Sequence, residues 1–224
     1  MSLTPDAVSR RAAHAVEVVK PRLRGVTHLA MAPIAAVMAV VLVWNATGAN
    51  RITTGIFGAL LVGLYATSGS YHVPRWRGRV RVWWGRADTA MIVLFIAGTF
   101  TPIAFHALTG SWRLWSLVIA WVIAVAGAGI AISPITAPRW LRTSGYLAIG
   151  WLMVVPMWKI AAALPLAGTA LIILGGVLYT IGGVVYAAKK PDPFPEWFGF
   201  HEVFHLLVIA ASICHYLVII RYIV

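Results

Sequence analysis

Charged residues are scarce in this chain of 224 residues. Only 11% of its residues are charged, 6 of them are acidic, and 61% of all residues are hydrophobic. A soluble domain usually carries about 25% charged residues, because its surface must remain in contact with water. The scarcity excludes an ordinary soluble domain and indicates that most of the protein surface faces lipid.

Cysteine is almost absent as well, since Cys214 is the only one in the sequence. A single cysteine cannot form a disulfide within the chain, so such cross-links play no part in the predicted fold. A cleavable signal peptide is not expected either. The first apolar run follows a polar, basic segment and is too long for a signal-peptide core, which predicts a retained membrane span.

Seven long apolar runs take up most of the sequence. A bilayer core about 30 Å thick requires about 20 apolar residues per helix, and the runs lack the alternation of β-barrel strands. We therefore predict an all-α fold: a cytoplasmic N-terminal segment, 1–25, and a seven-transmembrane-helix domain, 26–224, that crosses the cell membrane as a multi-pass protein. The predicted spans are 26–46, 52–72, 87–107, 112–132, 143–162, 166–187 and 202–223.

The orientation is predicted from the basic residues. Of the 18 lysines and arginines, 14 fall at the N-terminus and in the second, fourth and sixth connections, and 4 fall on the other side. Basic residues accumulate in cytoplasmic connections of membrane proteins. The distribution predicts a cytoplasmic N-terminus, and an odd number of spans agrees with it.

The net charge of +12 does not predict nucleic-acid binding, because the basic residues are confined to the connections between apolar runs. That pattern is typical of contact with anionic lipid headgroups on the cytoplasmic side. The densest connection, 75–84, interleaves arginine with tryptophan. It predicts an interfacial belt, and a specific headgroup-recognition site is the alternative.

Four polar residues that are far apart in sequence share one predicted membrane depth. His72 ends the second span, Asp88 begins the third, and His201 and His205 begin the seventh, all on the cytoplasmic side. A spacing of four residues places His201 and His205 on one face of a helix. Imidazole ligands suit zinc, and three of them leave a fourth position for water. His72, His201 and His205 therefore form the predicted metal site, with zinc as the metal.

Ser68 and Glu202 are candidates for supporting roles. Ser68 lies one helical turn before His72, where its hydroxyl can hydrogen-bond a ligand or a substrate. Glu202 completes an H-E-x-x-H pattern, in which zinc proteases use the glutamate as a general base. A protease is disfavoured, because no acidic residue follows Glu202, and His215 lies ten residues, about 15 Å, beyond His205 along the helix. We expect Glu202 to point away at the cytoplasmic edge, and it is the alternative base.

These residues and their surroundings resemble the haemolysin III group, which belongs with the progestin and adipoQ receptors, including the adiponectin receptors. The resemblance extends from about His28 to the C-terminus and rests on an ordered pattern: S-x-x-x-H, then D, then H-x-x-x-H. It implies seven helices and a zinc ion bound by the three histidines, with Asp88 and Ser68 contacting the zinc water or its ligands. The segments that carry it are 68–72, 86–88, 96–102, 179–182 and 198–205.

The resemblance also implies a range of activities. The wider superfamily includes alkaline ceramidases, so the chain is expected to be a metal-dependent hydrolase of lipid amides or esters, acting on membrane lipids. Zinc lowers the pKa of its water to about 7, and Asp88 would act as general base or orient that water. Two alternatives are a receptor or membrane-homeostasis sensor with structural zinc, and a haemolysin-type cytolytic membrane protein. An open fourth ligand position favours the enzyme, and a closed ligand shell favours the sensor.

Overall fold

Helices form in the apolar runs, because a backbone surrounded by lipid must satisfy its own N–H and C=O groups. The structure is a computed structural model that describes residues 20–135 and 137–224. Residues 1–19, which make up most of the predicted segment 1–25, and Thr136 lie outside the described residues. The described residues form eight helices: α1 (Val26–Asn45), α2 (Gly48–His72), α3 (Gly78–Ala107), α4 (Gly110–Ile132), α5 (Arg139–Leu152), α6 (Met157–Ala163), α7 (Leu166–Ala188) and α8 (Phe200–Tyr222).

Six of these helices are long and apolar enough to cross a membrane, and a bent pair makes up to seven spans. The chain is thus an all-α, multi-pass membrane protein, as predicted. The boundaries of five spans agree with the predicted ones to within four residues. Successive spans, with α5 and α6 counted as one bent span, are joined by short connections and run in alternating directions. One end of the bundle holds His72, Asp88 and His201, and we call it the histidine end.

The predicted span 143–162 is not one continuous helix. It is divided into α5 and α6, whose axes differ by 49° across a break of four residues. Pro156 ends this break, and proline has no N–H to donate and disfavours helical geometry in the residue before it. Hydropathy does not register such a break, because the residues within it, 153–156, are all apolar.

The third span begins earlier than the sequence predicts. Helix α3 starts at Gly78 rather than at residue 87 and is 30 residues long. At 1.5 Å per residue it measures about 45 Å, which exceeds the roughly 30 Å hydrocarbon core. Its first turns, which carry Arg79 and Arg81, therefore extend past the apolar span at the histidine end. Asp88 lies ten residues inside the helix rather than at its start.

Helices α2, α3 and α8 form the centre of the bundle. They are the most buried of the long helices, whereas α1 and α4 expose most of their apolar side chains, as a lipid-facing surface requires. Aromatic side chains such as Phe57, Tyr65 and Phe95 fill the central core. The polar residues at the histidine end are consequently held by the most densely packed helices.

Two glycines bring α1 against the end of α2. A Cβ at Gly69 would lie 2.8 Å from the Cα of Leu29, which is closer than packed atoms approach. Gly25 precedes α1 with a φ of 81°, and a Cβ there would overlap the Cβ of His72. Both positions therefore require glycine, and the close contact places the first turn of α1 beside the predicted metal ligands.

Candidate metal centre

Three histidines from two helices meet at the histidine end. His72 is the last residue of α2, and His201 and His205 lie in the first two turns of α8. One nitrogen from each ring lies within 4.8 Å of the others. His205 and His201 are buried, and the side chain of His72 is 12% exposed. The structure therefore brings together the three predicted ligands, although His72 is 129 residues or more from the other two in sequence.

The arrangement fits a divalent metal. The Nε2 atoms of His72 and His201 are 3.2 Å apart. Zinc–nitrogen bonds of 2.0–2.1 Å in a tetrahedral site would place two ligating nitrogens roughly 3.3 Å apart. Three imidazoles also form a donor set that zinc, copper, iron and nickel accept. The residues present can hold a metal ion, and their chemistry leaves its identity open among these metals.

Asp88 approaches the site from α3. Its Oδ2 lies 3.4 Å from the Nε2 of His72, and its side chain is 19% exposed. The carboxylate thus reaches one corner of the histidine cluster from a third helix. An ionised carboxylate accepts hydrogen bonds and can take up a proton. Asp88 is accordingly placed where it can serve a water or substrate beside His72.

Ser68 lies one turn before His72 on α2, and its side chain is buried, with 3% exposed. Among the hydrogen bonds between described residues, none joins the Ser68 hydroxyl to a histidine. The contact of Ser68 with a ligand or a substrate stays a prediction.

The sequence suggested that Glu202 lies at the edge of the membrane, but the structure places it inside the bundle. It is fully buried, and both carboxylate oxygens have partners. The Nε of Arg24 donates to Oε1 at 2.5 Å, and the backbone N–H of Gly199 donates to Oε2 at 2.8 Å. The second contact is a capping-box interaction at the start of α8. Glu202 thereby fixes the helix that carries two of the histidines.

His28 is the site residue that sequence reasoning left out. It lies in the first turn of α1, is 2% exposed, and stacks on His205 with ring centroids 3.7 Å apart and an interplanar angle of 7°. The rings of His28 and Tyr65 also pack in a T-shaped arrangement, with centroids 5.0 Å apart and an interplanar angle of 61°. The signal that identifies His28 was available, because it begins a span on the same predicted side as the other histidines.

The segment before α1 crosses the histidine end. The backbone N–H groups of Arg22 and Leu23 donate to the carbonyls of Glu196 and Trp197, at 2.9 and 3.1 Å. The guanidinium of Arg22 also lies 4.2 Å above the ring of Trp197. We call residues 20–25 the N-terminal strap, since they connect the loop before α8 to the end of α2.

The other end of the strap contacts the loop after α2. The ammonium group of Lys20 donates to the carbonyl of Val73 at 3.3 Å. Partial burial, and then the positive charges of Arg75, Arg24 and Arg81, lower the pKa of Lys20. The strap and the loop after α2 therefore bring several positive charges close together at the histidine end.

Comparison with known proteins agrees with the resemblance that the motifs indicate. The sequence matches the family described as Haemolysin-III related over residues 16–216. It is also similar to a Hemolysin-3 homolog from Bacillus subtilis (strain 168), with 32% identity over 117 residues. This second match covers 52% of the chain and 54% of the relative, so the chain spans about half the length of the curated relative that it matches.

Proposed function

Since this chain belongs to the Haemolysin-III related family of membrane proteins, we propose that it is a zinc-dependent hydrolase of lipid amides or esters. One observation carries the proposal: the carboxylate of Asp88 lies 3.4 Å from the ring nitrogen of a candidate metal ligand, His72. Ionisable groups within membrane helices are energetically costly and usually serve a function. The three histidines can hold a metal, and the carboxylate adds a base next to it.

The ligands in this proposal are His72, His201 and His205. Zinc held by three imidazoles supplies a Lewis acid that polarises a carbonyl and acidifies water. Asp88 then accepts a proton from the attacking water and can return it to the leaving group, which is general acid–base catalysis. The buried hydroxyl of Ser68 orients a ligand or the substrate carbonyl from the same face of α2.

The membrane location supports a lipid substrate. The three histidines lie at the end of a bundle whose outer helices expose apolar side chains to lipid. A lipid in the adjoining leaflet can present its amide or ester bond at this depth while its chains stay in the hydrocarbon core. A water-soluble substrate would gain nothing from this burial of the site.

The test is the replacement of Asp88 by asparagine, which keeps the shape of the side chain and removes the base. We expect Asp88→Asn to retain zinc and to lose about 10²-fold or more in lipid hydrolysis, the usual contribution of a general base. Fatty-acid release from ceramides, N-acyl lipids and phospholipids measures the effect. Glu196, an exposed acidic residue of the loop before α8, provides a matched control, Glu196→Gln, which should retain wild-type activity.

Two results would contradict the proposal. Equal turnover by Asp88→Asn and wild type would remove Asp88 from the mechanism. A folded, zinc-loaded wild type that is inactive on every lipid would remove the hydrolase. The second result favours a receptor or membrane-homeostasis sensor, in which the same three histidines use zinc to join α2 to α8. The proximity of Asp88 favours the enzyme over both the sensor and a cytolytic protein, because neither requires a base.

We also propose that the histidine end faces the cytoplasm, where its basic residues contact anionic headgroups. Arg79, Trp83 and Trp84 line an open surface cavity of about 630 Å³ on the extension of α3. The rings of Trp76 and Trp84 stack at 6.1 Å, which fixes the loop before this helix. Aromatic and basic side chains together are typical of the membrane interface on the cytoplasmic side.

The orientation and the headgroup contact are tested together. Reporter fusions should place the N-terminus in the cytoplasm and the C-terminus outside. In nanodiscs of phosphatidylglycerol and phosphatidylcholine, replacing Arg75, Arg77, Arg79 and Arg81 with glutamine should lower the bound phosphatidylglycerol by at least about five-fold, the effect of about 1 kcal/mol from just one basic residue near the surface. Arg113→Gln, at the opposite end, is the control. Unchanged lipid enrichment would contradict the headgroup contact, and an external N-terminus would contradict the orientation.

A further inference from the structure

His28 occupies a place in the core that an apolar ring would fill equally well. Its imidazole lies flat on that of His205, with ring centroids 3.7 Å apart and planes 7° from parallel. Tyr65 contacts it edge-on at 5.0 Å. These are the contacts of a packed aromatic side chain, and a phenylalanine would make them without any polar atom.

The two ring nitrogens of His28 are therefore unexplained by packing. Only 2% of the residue is exposed, and neither Nδ1 nor Nε2 is hydrogen-bonded to a described side chain. Buried polar atoms are almost always hydrogen-bonded, because leaving them unpaired in a low-dielectric interior is destabilising. The free-energy cost of burying these nitrogens is offset if at least one of them binds a group that is not a protein side chain.

His205, whose ring stacks on that of His28, also has a ring nitrogen without a hydrogen-bond partner in the described part of the chain. Its Nδ1 is buried and has no hydrogen-bond partner among the described residues. A histidine that binds a metal through one nitrogen normally donates its other N–H to a fixed acceptor, which sets the tautomer and the ring orientation. With Nε2 of His205 as the nitrogen that binds the metal, the Nδ1–H requires an acceptor close to the stacked pair.

We propose that His28 is a positioning residue for His205. A ring nitrogen of His28 and the Nδ1–H of His205 hydrogen-bond to one shared water, which accepts from His205 and donates to His28. A buried water normally makes two to four such bonds to polar groups that have no other partner. The stack limits the tilt of the His205 ring, and the water fixes its tautomer.

The surrounding helices hold His28 firmly enough for this role. The hydroxyl of Tyr65, which contacts His28, is hydrogen-bonded to the hydroxyl of Ser212 on α8 at 2.5 Å. The first turn of α1 is also packed against α2 through the close contact between Gly69 and Leu29. His28 is therefore fixed relative to the two helices that carry the metal ligands.

The test compares zinc affinity with the stability of the metal-free protein. His28→Phe keeps a flat ring for the stack and removes both nitrogens, and His28→Gln keeps polar atoms without the ring. We expect His28→Phe to bind zinc about 10–100-fold more weakly, the usual effect of removing a partner of a metal ligand. His28→Gln should lose less. Metal-free His28→Phe should melt at or above the temperature of the metal-free wild type, because an apolar ring of similar shape replaces a buried imidazole that has no hydrogen-bond partner among the described side chains.

Zinc affinity is measured by competition with a chelator in detergent, and the melting temperature is measured after the metal is removed. His106→Phe, an exposed histidine at the opposite end of the bundle, is the control and should match wild type in both measurements. Wild-type affinity in His28→Phe would overturn the proposal, since the stack alone would then suffice. So would a greater loss in His28→Gln than in His28→Phe, or a lower melting temperature of metal-free His28→Phe together with weaker binding.

The proposal rests on the zinc-binding part of the proposed function and not on hydrolysis. A wild type that binds zinc and hydrolyses no lipid would remove the enzyme, and the affinities of the His28 variants would still decide the role of His28. A wild type that binds no zinc would remove both.

Discussion

Replacing His205 with alanine should remove zinc from the protein. The binding free energy of zinc in a closed protein site is about 10–16 kcal/mol and is shared among a few ligands. Removing one of three histidines should therefore weaken binding by about 10³-fold, at 1.4 kcal/mol for each factor of ten. His205 is 1% exposed, so water has little access to the position that its imidazole leaves. We expect one zinc per wild-type chain and almost none in His205→Ala.

The same substitution should lower stability more when zinc is present than when it is absent, because the loss of a buried ring is common to both conditions. A ligand at about 1,000 times its dissociation constant stabilises the folded state by about 4 kcal/mol. Because zinc would join α2 to α8, the wild type should lose roughly that amount when the metal is removed, whereas His205→Ala should lose little. Elemental analysis gives the metal content, and thermal unfolding with and without chelator gives the stability. His106→Ala, at the opposite end of the bundle, is the matched control.

Equal zinc content in His205→Ala and wild type would show that the metal is held elsewhere. A wild type free of zinc, and unaffected by chelator, would remove the metal centre altogether. Loss of stability in His205→Ala that is the same with and without zinc would point to a packing role. His205 stacks on His28, so this last result has a definite structural origin.

The three histidines and Asp88 could be found from the sequence because each lies near the end of an apolar run. Because the runs alternate in direction, their ends on one side of the membrane share a depth. This places His72 at the depth of His201 without any knowledge of the packing. Depth does not determine which way a side chain points. That is why Glu202 was expected at the membrane edge, although it lies inside the bundle against Arg24.

Other features depended on interactions that hydropathy does not measure. The start of α3 at Gly78 was missed because arginines and tryptophans lower the apolar signal, although both are acceptable in a helix that extends beyond the lipid core. The role of Arg24 was missed for a similar reason. It precedes the first span and was counted as a topology signal, whereas its partner is 178 residues away in sequence. Neither the start of α3 nor the pairing of Arg24 with Glu202 follows from the hydropathy of the sequence.

Removing the charge of Arg24 should destabilise the protein through Glu202. The two side chains form an ion pair in which the Glu202 carboxylate is fully buried and Arg24 is 18% exposed. Deleting one partner of a buried pair leaves the other charge uncompensated, which typically destabilises by about 3–5 kcal/mol. We expect Arg24→Met to lower the free energy of unfolding by about 3 kcal/mol, the lower end of this range, because the pair is partly accessible to water. Arg22→Met, in the same N-terminal strap, should lose about 1 kcal/mol or less.

The loss in Arg24→Met should be largely recovered by a second substitution, Glu202→Gln. Glutamine removes the buried charge and still accepts the hydrogen bond from the Gly199 backbone, so the start of α8 keeps its cap. Glu202→Gln alone should cost less than Arg24→Met, since Arg24 can turn towards water. Unfolding of the four metal-free proteins in detergent completes the cycle and separates this effect from zinc binding. Strictly additive losses would show that the two charges are not coupled, and Glu202 would then become available as the alternative base.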